Sequence, residues 1–561
     1  MPVVDVSWDD LERLVGVELS EQQLESLLFS LKCEISELSR EKIEYEIERD
    51  RPDLFSAEGL ARAIKGLLEV EVGLPKFNVK PSEVKLYVSG PVYRPYCLGA
   101  VVKNLEFDNE ALRQVMNLQE KLHVTYCRNR RKVSIGLYDL AKVKPPIRYE
   151  AVKPEEVEFV PLDHYEKMNL REVLSKTEKG REYAHLVEGA EYPILVDEQG
   201  TVLSFPPIIN SEDTAVTEET KAVFIDVTGT DLKAMTEVLK IVVTSVAERG
   251  GEKHEIGIVK VFMQGKAAES PELSPESLKL PPSYVHDVLG EPLSEEEIET
   301  CLLKMRHGVE RDSDAFAVRV APYRIDVLHP VDLVEDVAMA YGYARIKPEL
   351  LPAYAPGSVS PIEAYSNVVR DVMVGLGFQE VANYIMCNKE TLTAKVRMPE
   401  ARIIEVVNPK SERYNAVRSW LVPVLMEVLS ANKRLGLPLK VFEVGDVVVV
   451  DESLDVKART ERHLACAVAS KEATITDALV ALKAFMRAMG LEHSLRESEH
   501  PAFIPGRFAE VLVGGEVVGL AGEVHPEVLL NFELSYPVSA FELNLTKLLE
   551  MERKGLSPSK A

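Results

Sequence analysis

Two stretches of the chain carry apolar residues at helical spacing, and each stretch begins with the same polar signal. Ser20 is followed three residues later by Gln23, and Ser294 is followed three residues later by Glu297. This spacing is the pattern of a capping box, which satisfies the first backbone N–H groups of a helix. Apolar residues then recur every three or four positions, as on the buried face of a helix. The sequence therefore predicts one helix after Ser20 and another after Ser294.

The similarity between the two stretches continues along the chain. An Arg-X-Asp triplet follows each capping signal, with Arg51 and Asp53 in the first stretch and Arg324 and Asp326 in the second. The separation is about 30 residues in both copies, and an amphipathic helix follows each triplet. We interpret the two stretches as one small module of helices and strands that occurs twice.

The rest of the pattern predicts two larger α+β domains. Between the two copies, valine-rich extended runs alternate with helical periodicity, and near the end a helix at 362–376 precedes a strand at 439–450. Proline-containing linkers at 266–275 and 348–357 separate these parts. The predicted organisation is a multidomain α+β protein with the domains 1–84, 85–265, 271–347 and 359–550 and a tail at 551–561.

Composition and charge narrow the class of protein. The chain has 46% hydrophobic and 28% charged residues, as globular proteins do, and a formal net charge of −25. Because phosphate contacts require Lys and Arg, we do not expect this chain alone to form the main nucleic-acid-binding surface. A basic partner subunit or one local basic patch would reconcile the charge with an RNA substrate. The most basic stretch, 127–132, is either a solvated turn or a phosphate contact.

Other sequence features concern location and redox state. No apolar run approaches the length of a membrane span, and residues 1–20 lack the basic region of a signal peptide. The six cysteines are scattered without a C-x-x-C pair, which argues against a zinc site and a disulfide framework. We therefore expect a cytoplasmic protein.

Four acidic residues around the second Arg-X-Asp triplet are a candidate metal site. Asp332, Glu335 and Asp336 share one face of the helix predicted to begin at Pro330, and Asp326 lies one loop upstream. Such carboxylates repel one another and suit a hard cation such as Mg²⁺. The alternative is a solvated acidic first turn, which the helix dipole favours without a metal. The aligned positions of the first copy carry Gly, Arg and Ala in place of the three helix acids, which favours a site in the second copy.

A second candidate site lies in the strands of the 85–265 domain. Asp226 stands between Ile225 and Val227, so its side chain points to the face opposite those two apolar residues. Either a polar pocket or a half-exposed strand would give this pattern.

These segments also carry a resemblance to a known family. The run 321–343 resembles the B5 domain of the phenylalanyl-tRNA synthetase β subunit in its shorter archaeal and eukaryotic form, and the run 51–59 resembles the B1 domain of that family. The runs 203–211 and 224–231 resemble the B3/B4 editing domain, and 359–550 resembles the B6/B7 domain, which has the class II synthetase fold. The resemblance covers nearly the whole chain in the family's domain order.

The resemblance implies particular roles for the two candidate sites. The B3/B4 domain is expected to hydrolyse misacylated Tyr-tRNA(Phe), with a pocket formed by Leu195, Ser204, Asp226 and Thr228. Asp226 would accept a hydrogen bond from the tyrosyl hydroxyl, which a phenylalanyl group cannot supply. A positioned water is expected to attack the ester, because the sequence shows no Ser-His-Asp or Cys-His constellation near these segments. The resemblance also implies that Asp326, Asp332, Glu335 and Asp336 bind Mg²⁺ near the contact with an α subunit.

The last domain departs from a catalytic class II domain. Around Glu443 the strand is kept, but the Arg two residues before it, which would help to clamp ATP, is missing. Arg418, Glu443 and His525 are either family features or ordinary core and turn residues. The resemblance implies that an α subunit binds ATP and phenylalanine in an (αβ)₂ heterotetramer that acts on tRNA(Phe). One alternative is an interaction protein with an inert B3/B4 domain. The other is a self-sufficient ATP-dependent ligase, and the missing Arg argues against it.

Overall fold

The computed structural model describes residues 2–40, 42–350 and 355–554, and the chain divides into two units at residues 350 and 351. None of the described helices is both long and apolar enough to cross a membrane. The predicted tail at 551–561 is helical as far as Arg553, and from residue 555 onward it lies outside the described residues.

The first unit begins with the first copy of the predicted module. The Ser20 hydroxyl accepts a hydrogen bond from the Gln23 N–H at 3.2 Å, so the predicted helix start is confirmed. Three helices cover an antiparallel sheet with the strand order β1-β3-β2. The elements are β1 (Val3–Val6), α1 (Trp8–Val15), α2 (Glu21–Ser30), β2 (Glu34–Leu38), β3 (Ile43–Glu46) and α3 (Ala57–Leu67).

A ten-stranded sheet follows, with the order β12-β11-β10-β7-β4-β14-β5-β13-β6 and β15 paired to β14. Its strands run from Val79 to Ser270, past the predicted domain limits of 85 and 265 on both sides. The strands are β4 (Val79–Ser89), β5 (Tyr96–Lys103), β6 (Val133–Asp139), β7 (Ile147–Val152), β10 (Tyr192–Val196), β11 (Val202–Phe205), β12 (Ile209–Asn210), β13 (Ala222–Gly229), β14 (Glu255–Met263) and β15 (Lys266–Ser270). A small hairpin, β8 (Glu158–Phe159) with β9 (Met168–Asn169), stands apart, and the helices are α4 (Asn109–Val124), α5 (Leu170–Lys176), α6 (Glu178–Tyr183) and α7 (Leu232–Glu248).

The second copy of the module closes the first unit and confirms the predicted repeat. Its sheet has the order β16-β18-β17, which repeats the first–third–second order of the first copy. Both bonds of the predicted capping box form between Ser294 and Glu297. The elements are β16 (Glu276–Leu280), α8 (Pro282–Leu289), α9 (Glu295–Lys304), β17 (Gly308–Asp312), β18 (Ala315–Val320) and α10 (Pro330–Tyr341).

The second unit is built on a seven-stranded sheet with the order β19-β23-β24-β28-β27-β26-β25. Alternate residues of β24 point to opposite faces, so Leu464 and Cys466 join one hydrophobic core and Ala465 and Ala467 join another. The strands are β19 (Gln379–Glu380), β20 (Met386–Cys387), β21 (Ile404–Glu405), β22 (Ala416–Val417), β23 (Leu439–Val450), β24 (Ala458–Ala469), β25 (Ser494–Glu497), β26 (Phe503–Val513), β27 (Glu516–Val524) and β28 (Val538–Asn544). The helices are α11 (Pro361–Gly375), α12 (Lys389–Leu392), α13 (Val422–Ala431), α14 (Ile475–Ala488), α15 (Pro526–Asn531) and α16 (Leu545–Arg553).

Candidate functional site

A cavity of about 250 Å³ opens in the first unit where the end of the large sheet meets helix α4. Strands β6, β11 and β13 and the loop after β11 supply most of its walls. Of the predicted pocket residues, Ser204 and Asp226 line this cavity. The polar residues on its walls include Glu120, Arg130, Tyr138, Ser204, Asn210 and Asp226.

Asp226 is the buried carboxylate of this cavity, with 2% of its surface exposed. Its Oδ1 accepts a hydrogen bond from the Tyr138 hydroxyl at 2.5 Å, and the same hydroxyl lies 2.8 Å from Ser204 Oγ. Burial raises the pKa of Asp226 to about 7, against the opposing effects of the Tyr138 hydrogen bond and the positive charge of Arg94. The Ile225-Asp226-Val227 alternation left a polar pocket and a half-exposed strand open, and the burial of Asp226 beside the cavity fits the pocket.

Two glycines flank Asp226 in the sheet, Gly99 on β5 and Gly136 on β6. A Cβ atom on Gly136 would lie 2.2 Å from Asp226 Oδ1 and 2.1 Å from the Tyr138 hydroxyl. The glycine therefore leaves the space in which Tyr138 and Asp226 meet. Sequence reasoning missed both Gly136 and Tyr138, because strand register and not chain spacing brings them to the carboxylate.

The other two predicted pocket residues lie beside the cavity and not on its lining. Thr228 is buried, and its Oγ1 accepts a hydrogen bond from Arg94 Nε at 3.0 Å and lies 2.8 Å from Ser134 Oγ. Leu195 is fully buried in the sheet, where it is paired with Ser204. Both residues support the residues that line the cavity.

One arginine of the basic run 127–132 is directed into the protein. Arg128, Asn129 and Arg130 all have left-handed backbone conformations, with φ of 52°, 52° and 62°. Arg130 Nη1 donates to the backbone oxygens of Pro207 and Ile208 at 3.2 and 2.9 Å, and Nη2 donates to Glu120 at 2.7 Å. Arg130 therefore fixes the loop at the wall of the cavity, whereas Arg128 and Arg131 are exposed.

The acidic residues of the predicted magnesium site are held by side chains of the chain itself. Arg324 Nη2 donates to Asp326 Oδ2 at 2.7 Å and to Asp336 Oδ1 at 2.9 Å. Asp336 Oδ2 also lies 2.6 Å from His307 Nε2. Although burial opposes ionisation, the Arg324 guanidinium holds the pKa values of Asp326 and Asp336 below their usual range.

The remaining two acids of that prediction point to other partners. Asp332 Oδ2 accepts hydrogen bonds from the backbone N–H groups of Leu328 and His329, and Glu335 pairs with Lys32 at 3.1 Å. In the described residues, no group of three or more His, Cys, Asp or Glu side chains is arranged to hold a metal ion. The carboxylates as placed do not fit direct coordination of Mg²⁺, and the magnesium site stays a prediction.

In the second unit, the residues singled out from the sequence have structural partners. Arg418 Nη1 donates to Glu443 Oε1 at 2.7 Å, and both side chains are buried. His525 precedes helix α15, and its Nδ1 accepts a hydrogen bond from the Glu527 N–H at 3.2 Å. These contacts fit the interpretation of core and helix-cap residues.

Comparison with known proteins places these units among the domains of tRNA ligases. Residues 347–545 match the model of the phenylalanyl tRNA synthetase beta chain CLM domain, residues 278–343 match the tRNA synthetase B5 domain, and residues 108–247 match the B3/4 domain. The third range contains Asp226, Ser204 and most of the cavity wall. The class defined by these domains is that of aminoacyl-tRNA synthetase subunits.

Similarity over the full length specifies the family. The chain is 48% identical to the phenylalanine–tRNA ligase beta subunit of Thermofilum pendens, over 98% of both chains, and 44% identical to that of Pyrococcus furiosus, over 98% of this chain and 100% of the relative. A solved N-terminal fragment of the phenylalanyl-tRNA synthetase beta-subunit from Pyrococcus horikoshii is 42% identical. It matches 61% of this chain and all of its own length with a TM-score of 0.58. The chain belongs to the family of phenylalanine–tRNA ligase beta subunits.

Proposed function

We propose that the cavity around Asp226 is an editing site that hydrolyses tyrosyl-tRNA and spares phenylalanyl-tRNA. The observation that carries this proposal is a buried carboxylate in a cavity of about 250 Å³ whose walls are mostly apolar. Such a cavity accepts one aromatic side chain, and Asp226 lies where the hydroxyl of a tyrosyl group would reach it. Tyr138 donates to Oδ1 of Asp226, and Oδ2 accepts no hydrogen bond from the residues that the structure describes.

Discrimination would follow from the cost of leaving a buried polar group unpaired. A tyrosyl hydroxyl can donate to Asp226, whereas a phenylalanyl ring would displace solvent from the carboxylate and give no hydrogen bond in return. Sites that hydrogen-bond a substrate hydroxyl reject the analogue that lacks it much more strongly than apolar pockets reject a missing methylene group.

The hydrolytic step needs a water and no enzyme nucleophile. The described residues that line the cavity include neither histidine nor cysteine, so its walls offer no Ser-His or Cys-His pair for nucleophilic attack. In the proposed step the oxygen of a water attacks the ester carbonyl carbon. The bond from that carbon to the ribose oxygen breaks, and the ribose oxygen leaves with a proton. The products are tyrosine and free tRNA.

The family also implies the context in which the site works. The relatives are named as beta subunits of a phenylalanine–tRNA ligase, which implies an α partner and tRNA as partners of this chain. We propose that ATP and phenylalanine are bound by the α partner, since the strand around Glu443 lacks the arginine of an ATP clamp. The (αβ)₂ stoichiometry is part of this proposal, and the mass of the assembled complex in solution tests it.

The deciding experiment measures hydrolysis of Tyr-tRNA(Phe) and Phe-tRNA(Phe) by this chain assembled with its α partner. Asp226→Asn is expected to lower kcat/KM for Tyr-tRNA(Phe) by about 10-fold to 100-fold, the value of a hydrogen bond to a charged group. Asp139→Asn is the matched control, because Asp139 is a buried carboxylate on β6 that bonds Thr220 and does not line the cavity. Unchanged Tyr-selective hydrolysis in Asp226→Asn would overturn the proposal.

A further inference from the structure

The two copies of the repeated module pack against each other and bury their Arg-X-Asp triplets together. Arg51 donates to both oxygens of Asp53 at 2.9 and 2.8 Å. Arg324 makes the same bidentate contact with Asp326, at 3.0 and 2.7 Å. The Gly73 N–H donates to the Leu303 oxygen at 2.7 Å, which links the end of the first copy to helix α9 of the second. The junction is therefore formed by equivalent residues from both copies.

In one half of this junction, around Lys32, acidic side chains neutralise the positive charge. Lys32 lies just after helix α2 with a left-handed φ of 60°, and its Nζ lies 3.1 Å from both Asp50 and Glu335. Asp50 directly precedes Arg51, and Glu335 lies on helix α10 of the other copy. The positive charge of Lys32 thus has two carboxylate partners.

The equivalent half of the junction, around Arg306, carries hydrogen-bond donors at the positions where the half around Lys32 carries acids. Arg306 lies just after helix α9 with a φ of 67°, in the position that Lys32 occupies in the first copy. The residue before Arg324 is Tyr323, which replaces Asp50, and the residue aligned with Glu335 is Arg62. The Arg62 guanidinium lies 3.8 Å from the centre of the Tyr323 ring. Arg306 also has a carboxylate partner, Glu71. Glu71 accepts a hydrogen bond from Nη2 of Arg306 at 3.0 Å and from no other atom of that guanidinium group.

Several donors in this half have no hydrogen-bond partner in the described part of the chain. They are Nε and Nη1 of Arg306, Nη1 of Arg51 and the hydroxyl of Tyr323, and the three side chains are 5%, 4% and 3% exposed. All three residues line one cavity of about 10 Å³. Among the described lining residues, the carboxylate is that of Asp53, and both of its oxygens already accept from Arg51.

We propose that this cavity is a binding site for a single small monatomic anion of the halide class, such as chloride. A buried N–H or O–H donor without an acceptor is destabilising even when its side chain is otherwise paired, and an anion accepts from several such donors at once. The cavity is about the size that holds one solvent molecule, so phosphate and nucleic-acid groups are too large for it. A halide ion is only slightly larger than water, and a small outward shift of the donor side chains would admit it. The site does not depend on the editing function, and none of the four acids of the predicted magnesium site lines it.

Crystals of the full chain grown in bromide test the site directly, because bromide gives an anomalous signal that water does not. A bromide peak within hydrogen-bond distance of Arg306 and Tyr323 is expected. Density of a water at that position, without an anomalous signal in bromide, would overturn the proposal.

A solution experiment with matched variants tests the same site. The midpoint of thermal unfolding of the full chain is compared in sodium chloride and in sodium gluconate of equal ionic strength. Chloride is expected to raise the midpoint of the wild type, and Arg306→Met is expected to abolish the difference. Lys32→Met is the control, since it changes the equivalent cation on the acid-lined half and is expected to keep the chloride effect. An equal chloride effect in both variants would contradict the site. If Arg306→Met does not fold, Tyr323→Phe is expected to raise the chloride concentration needed for half of the effect.

Discussion

The hydroxyl of Tyr138 donates to Asp226 Oδ1 over 2.5 Å, so the protein itself engages one oxygen of the carboxylate that lines the cavity. This bond favours the ionised carboxylate and opposes the effect of burial on its pKa. Tyr138 therefore helps to keep Asp226 able to accept a hydrogen bond near neutral pH.

Tyr138→Phe is expected to shift the pH profile of Tyr-tRNA(Phe) hydrolysis. Loss of the hydrogen bond raises the pKa of Asp226 above its value of about 7, so ionisation needs a higher pH. The pH at half-maximal kcat/KM should move upward by comparison with the wild type. A fall in rate that is equal at every pH would instead indicate that the Tyr138 hydroxyl orders the pocket without setting the protonation of Asp226.

The raised pKa of Asp226 predicts a pH dependence of stability. The folded state keeps the proton up to about pH 7, whereas the unfolded state releases it above the ordinary value of 3.8. The unfolded state therefore binds fewer protons in this window, and the free energy of unfolding falls as pH rises through it, by at most about 1.4 kcal/mol per pH unit. In Asp226→Asn this dependence is absent, so the variant should gain stability relative to the wild type from pH 4 to 7. Hydrogen exchange of β13, compared between the two proteins at each pH, measures the difference. A difference that stays constant with pH would contradict the prediction.

Gly136→Ala is expected to disrupt the cavity. Its Cβ would lie 2.2 Å from Asp226 Oδ1, so the carboxylate or the backbone of β6 must move. Overpacking of this kind costs about 1 to 3 kcal/mol, and we expect a loss of at least about tenfold in Tyr-tRNA(Phe) hydrolysis. Gly375→Ala in helix α11 is the control, since nothing lies within 4 Å of its added Cβ. Retention of full hydrolysis in Gly136→Ala would show that the space between Tyr138 and Asp226 is not needed.

In the second unit, His463 is expected to stabilise the fold as an imidazolium ion. Burial opposes the charge, but hydrogen bonds to Glu461 at 3.2 Å and Glu542 at 2.6 Å outweigh it and raise the pKa of His463 to about 9. A folded pKa above the ordinary 6.5 means that the stabilisation is complete below pH 6.5 and is lost as pH rises to about 9. His463→Gln should therefore lower the unfolding temperature strongly at pH 6 and much less at pH 9.5. An equal decrease at both pH values would argue for a packing role only.

Asp336→Asn tests whether Asp336 stabilises the protein through its ion pair with Arg324 or through bound Mg²⁺. The substitution leaves the buried Arg324 with one carboxylate fewer, and breaking a buried pair costs about 3 to 5 kcal/mol. We expect this loss of unfolding free energy to be the same with and without added MgCl₂. Glu335→Gln is the matched variant, because Glu335 is half exposed and its pairing with Lys32 is worth little. A loss in Asp336→Asn that appears only in the presence of magnesium would favour coordination of the metal.

Local chemistry could be predicted from the sequence, whereas the partners of side chains could not. The capping signals at Ser20 and Ser294 act within one helical turn, so they marked the repeated module correctly. The alternation around Asp226 placed its side chain on the face of β13 opposite Ile225 and Val227. Spacing also placed Asp332, Glu335 and Asp336 at the same helix. It carried no information about Lys32, which pairs with Glu335, or about Arg324, which pairs with Asp336. Arg130 was ambiguous for a similar reason, since its partners Pro207, Ile208 and Glu120 lie in other segments of the chain.

The shared burial of Arg51 and Arg324 sets an order of events during synthesis of the chain. Arg324 leaves the ribosome roughly 270 residues after Arg51, which at typical elongation rates is a delay on the order of tens of seconds. During that time the first module lacks the surface that covers it in the finished protein. The N-terminal module is therefore synthesised first, but its surface is covered only after the second copy has been made. A nascent chain halted before β16 would expose that surface to chaperones.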